Sequence, residues 1–361
     1  MRTTNLAIAL SLSLLGCVVD LDDDPSLESF AADDDGIDDE GEIDDDLAVD
    51  LGAAAIPHET DWMSGRYGVG FHYLQNWMRE TKNGGSAEWN ATVRSFDVDR
   101  FAGDIAATGA KWVLFTVGQN SGYYCAPNAE LDRRSGYRAG ERNSTRDLPM
   151  DMANALAARD IKLILYLPVN APKQDTRIAN GFGLTTKASN GNWNVNEDFM
   201  KKWAKVIEEW SRRYGTRVAG WWFDGAYGGN GWKARFARHI AAAVHSGNRD
   251  AVIALNPGAS AGLRQIAPEQ NYTAGEAGNL RLRCAGRLVD SAQCAIFLPV
   301  GSWGGGRVKY TDDEILDYTN QQLGVGGTVT WNLGVSGNGR VNADKRTIFE
   351  RIRGRIHGRT P

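Results

Sequence analysis

The chain has 361 residues, of which 42% are hydrophobic, with 12 Trp and 42 Gly, enough for one large core or two moderate ones. This composition excludes a fibrous or collagen-like protein, and the formal net charge is −5. The charge is unevenly spread, because 16 of the 45 acidic residues fall between Asp20 and Asp50, where no Lys or Arg occurs. Residues beyond 50 carry 39 basic and 29 acidic side chains, a net charge of about +10.

The first 17 residues have the pattern of an export signal. A basic N-terminus precedes an apolar segment, residues 6–15, that is too short to span a bilayer. Residues 14–17, Leu-Leu-Gly-Cys, resemble the bacterial lipobox, in which the Cys becomes the lipidated first residue. We therefore expect an exported protein that is held at the bacterial cell envelope by a lipid on Cys17. Ordinary secretion with cleavage nearby is the alternative.

Residues 18–56 are predicted to form an acidic, disordered linker. The acidic stretch contains one aromatic residue, Phe30, and cannot bury enough apolar surface to offset the entropy lost on ordering. The spacing of its Asp residues does not match a calcium loop, which needs a Gly and a terminal Glu at fixed positions. We predict a single folded domain over residues 57–361.

Beyond the linker, apolar runs typical of buried strands alternate with amphipathic helices. In chain order, the predicted strands are 66–73, 111–118, 161–168, 218–223, 251–256, 272–276, 295–300 and 328–333. The predicted helices are 97–108, 148–159, 197–214, 232–245, 312–323 and 344–357, the first with Asp97 as N-cap and Gly109 as its stop. Eight strands separated mostly by helices predict an α/β fold of the (β/α)8 barrel type, as a single catalytic domain.

In such a barrel the active site lies on the loops at the C-terminal ends of the strands. Polar or aromatic residues stand at or just past nearly every predicted strand end: His72, Tyr73, Gln119, Asn120, Asn170, Asp224, Asn256, Glu276, Trp303, Trp331 and Asn332. Residues that only fill a core would be Val, Ile or Leu. The ring of amides, aromatics and carboxylates therefore indicates a pocket for a polyhydroxylated ligand. The alternative is that loop-facing positions are polar without a functional reason.

Asp224 and Glu276 are the two carboxylates of this ring. An ionised side chain at the exit of a buried strand loses solvation unless it is paired or used in chemistry. Two carboxylates that flank a sugar are the minimum equipment for breaking a glycosidic bond, and these two come from non-adjacent strands of one ring. Glu269 and Asp290 are weaker candidates, because the first lies in a loop and the second has no predicted strand beneath it.

Cysteine and histidine spacing bears on redox state and metal binding. In an oxidising compartment Cys284 and Cys294 are near enough in sequence to close a short surface loop, which leaves Cys125 as the odd one. The sequence has no Cys-x-x-Cys and no clustered His, so we predict no metal site and no cofactor. We expect an oligo- or polysaccharide ligand, no nucleic acid, and membrane contact only through the lipid on Cys17.

Several motifs between residues 66 and 305 have a common counterpart. Residues 70–73, Gly-Phe-His-Tyr, and Glu88-Trp89 precede two stretches, 96–102 and 107–113, that lead into the second strand. Further motifs are Thr-Arg-Asp-Leu at 145–148, Trp-Phe-Asp-Gly at 222–225 and Ser-Trp-Gly at 302–304. Together they resemble family 29 of the glycoside hydrolases, the α-L-fucosidases, in which Trp-Phe-Asp-Gly is the nucleophile strand.

This resemblance implies a retaining exo-glycosidase that acts on fucosylated or related deoxy or anionic glycans, with Asp224 as nucleophile and Glu276 as acid/base. The matching motifs and the strand ends together predict these substrate contacts: His72, Tyr73, Trp89, Gln119, Asn120, Tyr123, Trp222, Asn256, Trp303 and Trp331. The positive charge of residues beyond 50 favours anionic glycans, unless the acidic linker neutralises it.

The chain departs from the family pattern in two ways. The family's second strand ends in Lys-His-His-Asp-Gly-Phe, whereas residues 118–123 read Gly-Gln-Asn-Ser-Gly-Tyr. The His pair that contacts the sugar hydroxyls is thus replaced by Gln119 and Asn120, whose amides still donate and accept hydrogen bonds. The C-terminal β-sandwich common in the family is also not expected. A sugar-binding pseudoenzyme on the same barrel is therefore the alternative function.

Overall fold

The computed structural model describes residues 58–357, so Cys17 and the acidic linker lie outside the described residues. Seven parallel strands form one sheet in the order β5-β4-β3-β2-β1-β9-β8. The strands are β1 (Tyr67–Phe71), β2 (Trp112–Thr116), β3 (Lys162–Pro168), β4 (Val218–Asp224), β5 (Val252–Leu255), β8 (Ala295–Pro299) and β9 (Thr328–Asn332). A separate antiparallel hairpin is made of β6 (Leu288–Val289) and β7 (Ala292–Gln293).

Nine α-helices occur within residues 58–357. They are α1 (Ser86–Ser95), α2 (Val98–Thr108), α3 (Ala129–Ser135), α4 (Leu148–Ala157), α5 (Thr176–Gly181), α6 (Glu197–Tyr214), α7 (Ala237–His245), α8 (Asp312–Gly324) and α9 (Ala343–Ile352). In this part of the chain none of them is both long and apolar enough to cross a bilayer. The predicted cap and stop of α2 are confirmed, since the Asp97 side chain accepts from the Arg100 N–H and Gly109 follows at φ 83°.

The differences from the predicted helices are local. Helix α7 begins at Ala237 rather than 232, after a 3-10 turn, and α9 ends at Ile352, where a second 3-10 turn takes over. Helices α1, α3 and α5 were not predicted. Each lies in a loop that follows β1, β2 or β3, and α3 and α5, with seven and six residues, are too short for a hydrophobic period to stand out.

The sixth predicted strand, 272–276, closes the barrel but is not a regular strand. It makes two isolated parallel bridges to the β7–β8 region, Tyr272 with Gln293 and Glu276 with Phe297. On its other side the Asn271 N–H donates to the β5 carbonyl of Ile253 at 2.8 Å. The prediction of a regular strand was wrong because side chains take two of the ladder positions. The Ile253 N–H donates to Asn271 Oδ1, and the Ala295 N–H donates to the Thr273 hydroxyl.

Alternating side chains divide the core into two layers. On β2, Val113 and Phe115 belong to the cluster between sheet and helices, whereas Trp112 and Leu114 belong to a second cluster. The second cluster fills the barrel interior: Met63, Trp112, Leu114, Ile164, Tyr166, Trp222, Val252, Ala254, Tyr272, Ala274, Ala295 and Phe297. Because side chains alternate along a strand, every second residue points into the barrel, and the same alternation applies to the residues at the strand ends.

The predicted disulfide is present between Cys284 and Cys294. It joins the loop after the 271–277 segment to the residue before β8, and both cysteines are buried. Cys125 is unpaired and buried, and burial raises the pKa of its thiol far above the usual range, so the thiol stays protonated.

The disulfide is expected to contribute about 2 to 3 kcal/mol to the free energy of unfolding, because it closes a short loop and constrains the unfolded chain. The double variant Cys284→Ser/Cys294→Ser should lose this stability, measured as a lower midpoint of urea denaturation at neutral pH. The matched control is the wild type in a reducing buffer, which should unfold at the same midpoint as the variant. An unchanged midpoint in both would contradict the prediction.

Candidate active site

The candidate site lies at the C-terminal end of the barrel, where inward-facing residues of several strands meet. Asp224 is the last residue of β4, Asn256 directly follows β5, and His72 directly follows β1. Asn332 ends β9, beside them. Because side chains alternate along a strand, these positions have the same orientation as the interior residues two places earlier.

Four side-chain donors surround the Asp224 carboxylate. The Tyr166 hydroxyl and Gln119 Nε2 donate to Oδ2 at 2.7 and 3.0 Å. Asn256 Nδ2 and the Tyr227 hydroxyl donate to Oδ1 at 2.9 and 3.1 Å. Burial, together with the nearby carboxylate charges, holds the pKa of Tyr166 well above its usual range. Tyr166 therefore keeps its proton and remains a donor at neutral pH.

Asn256 joins Asp224 to the second carboxylate. The same Nδ2 that donates to Asp224 Oδ1 at 2.9 Å donates to Glu276 Oε2 at 2.6 Å. The two carboxylate oxygens are therefore no farther apart than the sum of these lengths, about 5.5 Å. Asn256 is only 1% exposed. Its side-chain oxygen, Oδ1, accepts from the Gly258 N–H, which fixes the orientation of the side-chain amide. The two predicted carboxylates are thus brought together.

His72 is a neutral imidazole within this site. Burial lowers its pKa to about 4, against the opposing effects of a hydrogen bond to Asn332 and the charge of Asp224. Its Nδ1 lies 3.0 Å from Asn332 Oδ1, and Asn332 Nδ2 donates to the Trp303 carbonyl at 2.7 Å. Since Asn332 Oδ1 can only accept, Nδ1 carries the proton and Nε2 has the lone pair. Nε2 can accept a hydrogen bond from a sugar hydroxyl.

An aromatic wall stands around His72. The ring centroids of Trp77 and Trp303 lie 5.3 and 5.5 Å from the His72 ring, and Phe297 lies 4.9 Å from Trp303. Both tryptophans are partly exposed. An exposed indole face can pack against the apolar side of a sugar ring.

Other predicted contacts do not reach the carboxylates. Tyr73 and Trp331 point into the helix-facing layer, where the Tyr73 hydroxyl donates to the Gly337 carbonyl and Trp331 Nε1 to the Thr319 hydroxyl. Trp89 is buried there too, with Nε1 donating to the Tyr124 carbonyl. The predictions for Tyr73 and Trp331 overlooked that a neighbour of an inward-facing strand residue faces outward.

The remaining candidates lie beneath or beside the site. Trp222 is buried below it in the barrel interior, with its ring 4.7 Å from that of Tyr166. Asn120 follows Gln119 at the rim, and its carbonyl accepts from the Gln174 N–H. Tyr123, farther along this loop, stacks on the Arg142 guanidinium at 4.4 Å.

Asn170 is buried in the turn after β3, where Nδ2 donates to the Trp193 carbonyl. Sequence reasoning missed Tyr166, Tyr227 and Trp77 as site residues. The alternation of β3 could have identified Tyr166, two residues before the strand end.

The arrangement of these residues can support general acid/base and nucleophilic chemistry by a carboxylate pair. Within residues 58–357 no cluster of three or more His, Cys, Asp or Glu side chains is placed to hold a metal ion.

The α-L-fucosidase family model matches residues 48–353 of this chain. Among solved structures, the endo-fucoidan hydrolase P5AFcnA of glycoside hydrolase family 107 has a TM-score of 0.63 at 16% identity, over 84% of this chain and 94% of that one. The alpha-L-fucosidase isoenzyme 1 from Paenibacillus thiaminolyticus has a TM-score of 0.60 at 16% identity, over 83% and 75%.

A third structure, the family 107 endo-fucoidan hydrolase MfFcnA4, has a TM-score of 0.60 at 17% identity. The match covers 81% of this chain and 52% of that one, so this chain spans about half the length of that relative. At these identities the likeness concerns the barrel fold. A search of curated protein sequences finds no match.

Proposed function

Because the chain belongs to the α-L-fucosidase family of glycoside hydrolases, we propose that it is a retaining exo-glycosidase acting on fucosylated or related deoxy or anionic glycans. The observation that carries this proposal is the hydrogen-bonded link through Asn256. It holds one oxygen of Asp224 within about 5.5 Å of one oxygen of Glu276. Retaining glycosidases have carboxyl groups about 5 to 5.5 Å apart, whereas inverting enzymes leave about 6.5 to 9.5 Å for a water molecule, so this upper limit on one oxygen–oxygen distance favours the retaining arrangement.

In the proposed reaction Asp224 attacks the anomeric carbon while Glu276 protonates the leaving glycosidic oxygen. The carbon–oxygen bond to the aglycone breaks, and an ester bond between the sugar and Asp224 forms on the opposite face. Glu276, now ionised, takes a proton from water, and the resulting hydroxide equivalent opens the ester. Two displacements at the same carbon return the original configuration, and both carboxyl groups regain their starting protonation states.

The other residues assist by holding charge and orientation. Tyr166 and Gln119 donate to the Asp224 oxygen that does not face Glu276, so they can stabilise this carboxylate when it departs from the sugar. His72 offers a lone pair to a sugar hydroxyl, and the Trp303 ring packs against the sugar face. The side-chain amide of Gln119 donates and accepts hydrogen bonds in a different pattern from the family's His pair. We therefore expect this chain to prefer a different arrangement of hydroxyls on the sugar.

The preference for anionic glycans is supported by the loops beside Gln119. The Gln174 N–H donates to the Asn120 carbonyl, and the adjacent Lys173 has its carbonyl bound by Lys187 Nζ at 3.0 Å. Through these two hydrogen bonds both lysines are connected to the loop that carries Asn120; Lys173 is partly exposed and Lys187 is exposed. At low ionic strength these charges would attract sulfate or carboxylate groups on a glycan.

A screen of aryl glycosides, combined with binding to neutral and sulfated glycans, tests the proposal. We expect hydrolysis of an aryl α-L-fucoside with retention of configuration, and tighter binding of sulfated ligands that weakens as salt is raised. The variant Lys173→Gln/Lys187→Gln should lose this salt-dependent preference. Its control is Lys111→Gln/Lys162→Gln, which removes two exposed charges at the opposite end of the barrel.

Two outcomes would contradict parts of the proposal. Equal affinity for neutral and sulfated ligands at low salt would remove the anionic preference. Binding without turnover on any glycoside would favour the second candidate, a sugar-binding pseudoenzyme, which the replacement of the family's His pair by Gln119 and Asn120 makes plausible.

A further inference from the structure

The side chain of Gln119 uses both of its amide hydrogens on other protein groups. An amide nitrogen carries two hydrogens, whereas the amide oxygen only accepts. Gln119 Nε2 donates to the Tyr166 hydroxyl at 2.8 Å and to Asp224 Oδ2 at 3.0 Å. The Tyr166 hydroxyl donates its single hydrogen to the same Oδ2 at 2.7 Å, so its oxygen accepts from Gln119. Gln119 Nε2 therefore has no hydrogen left for a ligand.

The orientation of this amide follows from the same three contacts. If the amide were reversed, Gln119 Oε1 would face the Asp224 carboxylate oxygen and a Tyr166 oxygen whose hydrogen is already donated. Neither contact would then contain a hydrogen, and the charge of the carboxylate would repel the amide oxygen. The observed orientation satisfies all three groups.

The oxygen of the Gln119 amide is the part that a ligand can reach. Within residues 58–357 Oε1 accepts no hydrogen bond, and it does not belong to the buried polar atoms that lack a partner. Since Gln119 is partly exposed, Oε1 is open to solvent. The oxygen and nitrogen of an amide are about 2.3 Å apart, so Oε1 lies within about 5.3 Å of Asp224 Oδ2.

This distance places Oε1 beside the sugar that Asp224 would attack. The anomeric carbon must come within about 3.5 Å of the carboxylate before it can react. In the sugar ring this carbon is bonded to the ring oxygen, which has no hydrogen, and to carbon 2, which carries a hydroxyl. The 2-hydroxyl is therefore the hydroxyl nearest to the carboxylate and within reach of Oε1. Hydrogen bonds to this hydroxyl strengthen in the transition state of glycoside hydrolysis.

We propose that Gln119 Oε1 accepts a hydrogen bond from the 2-hydroxyl of the sugar and thereby restricts the enzyme to sugars with a free hydroxyl at carbon 2. This inference rests on the proposed function for the assignment of Asp224 as nucleophile. A sulfate group on this oxygen removes the hydrogen and brings negative charge toward Oε1 and the Asp224 carboxylate. Sulfate groups that are attracted by Lys173 and Lys187 therefore belong at other positions of the glycan.

A double cycle of variant and substrate isolates this one contact. The variant is Gln119→Met, and the substrates are an aryl α-L-fucoside and its 2-deoxy analogue. The ratio of kcat/KM between the two substrates should be about 10-fold larger in the wild type than in the variant, the effect of one hydrogen bond. The comparison cancels the different intrinsic reactivity of the 2-deoxy sugar and the loss of the Nε2 contacts, because each affects both members of a pair equally.

The matched control is the same cycle with the 4-deoxy analogue. The 4-hydroxyl is remote from the anomeric carbon, so the ratio of kcat/KM between parent and 4-deoxy substrate should be the same in the wild type and in Gln119→Met. Equal ratios in the 2-deoxy cycle as well, in an enzyme that hydrolyses with retention, would disprove the role of Gln119 and leave the proposed function intact.

Two further measurements do not depend on the variant or on turnover. The wild type should hydrolyse a 2-O-sulfated aryl α-L-fucoside at least about 100-fold more slowly than the unsulfated parent, and equal rates would overturn the inference. Calorimetric affinities for L-fucose and 2-deoxy-L-fucose should show the same coupling to Gln119→Met as the kinetic cycle. If this coupling is found in a protein that hydrolyses no glycoside, the hydrolase assignment fails while the contact of Gln119 with the 2-hydroxyl stands.

Discussion

Asp224→Gly is expected to lower turnover of an activated aryl glycoside by about 10⁴-fold or more, because the variant has no carboxylate to form the glycosyl ester. Added azide should restore part of the turnover, since this small anion can occupy the space left by the side chain and attack the anomeric carbon directly. A single displacement gives a glycosyl azide of inverted configuration, which nuclear magnetic resonance of the product identifies.

Asp290→Gly is a suitable control for this experiment. Asp290 is an exposed carboxylate in the turn of the β6–β7 hairpin, at φ 53°, a backbone conformation that Gly adopts without strain. The control should keep wild-type turnover and show no response to azide. Near-normal activity of Asp224→Gly on a substrate that the wild type cleaves would exclude Asp224 as the nucleophile.

Glu276→Ala is expected to affect substrates according to their leaving groups. An aglycone that departs readily as an anion needs no proton, so the first displacement on such a substrate should be spared. Poor leaving groups should react about 10²- to 10⁴-fold more slowly, the usual contribution of general acid catalysis. The measurement is kcat/KM across a series of aryl glycosides of graded leaving-group acidity, compared between variant and wild type.

Glu269→Ala is the matched control, because Glu269 is another partly buried glutamate on the chain between β5 and β8. Its kcat/KM should follow the wild-type dependence on leaving group. A uniform loss for Glu276→Ala across the series would show that Glu276 positions the substrate or Asn256 and does not act as the acid.

Much of the barrel could be predicted because apolar runs between helices are a strong signal for buried strands. Helix α6 matches its predicted bounds, since Phe199, Trp203 and Trp210 repeat at helical spacing over 18 residues. The segment 271–277 could not be predicted in detail. Whether Asn271 and Thr273 bond through their side chains depends on neighbours that are distant in sequence, such as Ile253 and Ala295.

For the candidate site, the predicted strand ends located the polar residues at the correct end of the barrel. They did not predict whether each side chain points into the barrel or toward the helices. His72, Asp224 and Asn256 lie inside the barrel, whereas Tyr73 and Trp331 face the helices. Counting by twos along β1 and β9 would have separated the two groups, because Tyr73 is in phase with the helix-facing Val69 and Phe71, and Trp331 with Val329. The contacts of Tyr227 and Trp77 depend on how loops fold back over the barrel, which no local pattern encodes.

The irregular hydrogen bonding of segment 271–277 affects where insertions could be tolerated in related sequences. Asp224 is fixed by register on both sides, since β4 pairs with β3 up to Pro168 and with β5 up to Leu255. An insertion within β4 would shift a whole ladder. An insertion near Gly275 would disturb isolated bridges rather than a regular ladder, so we expect the position of the proposed acid/base to vary along the chain more than that of the proposed nucleophile. In distant homologues an alignment anchored on Trp-Phe-Asp-Gly should locate the proposed nucleophile, whereas the proposed acid/base is better located by an amide that bonds to both carboxylates.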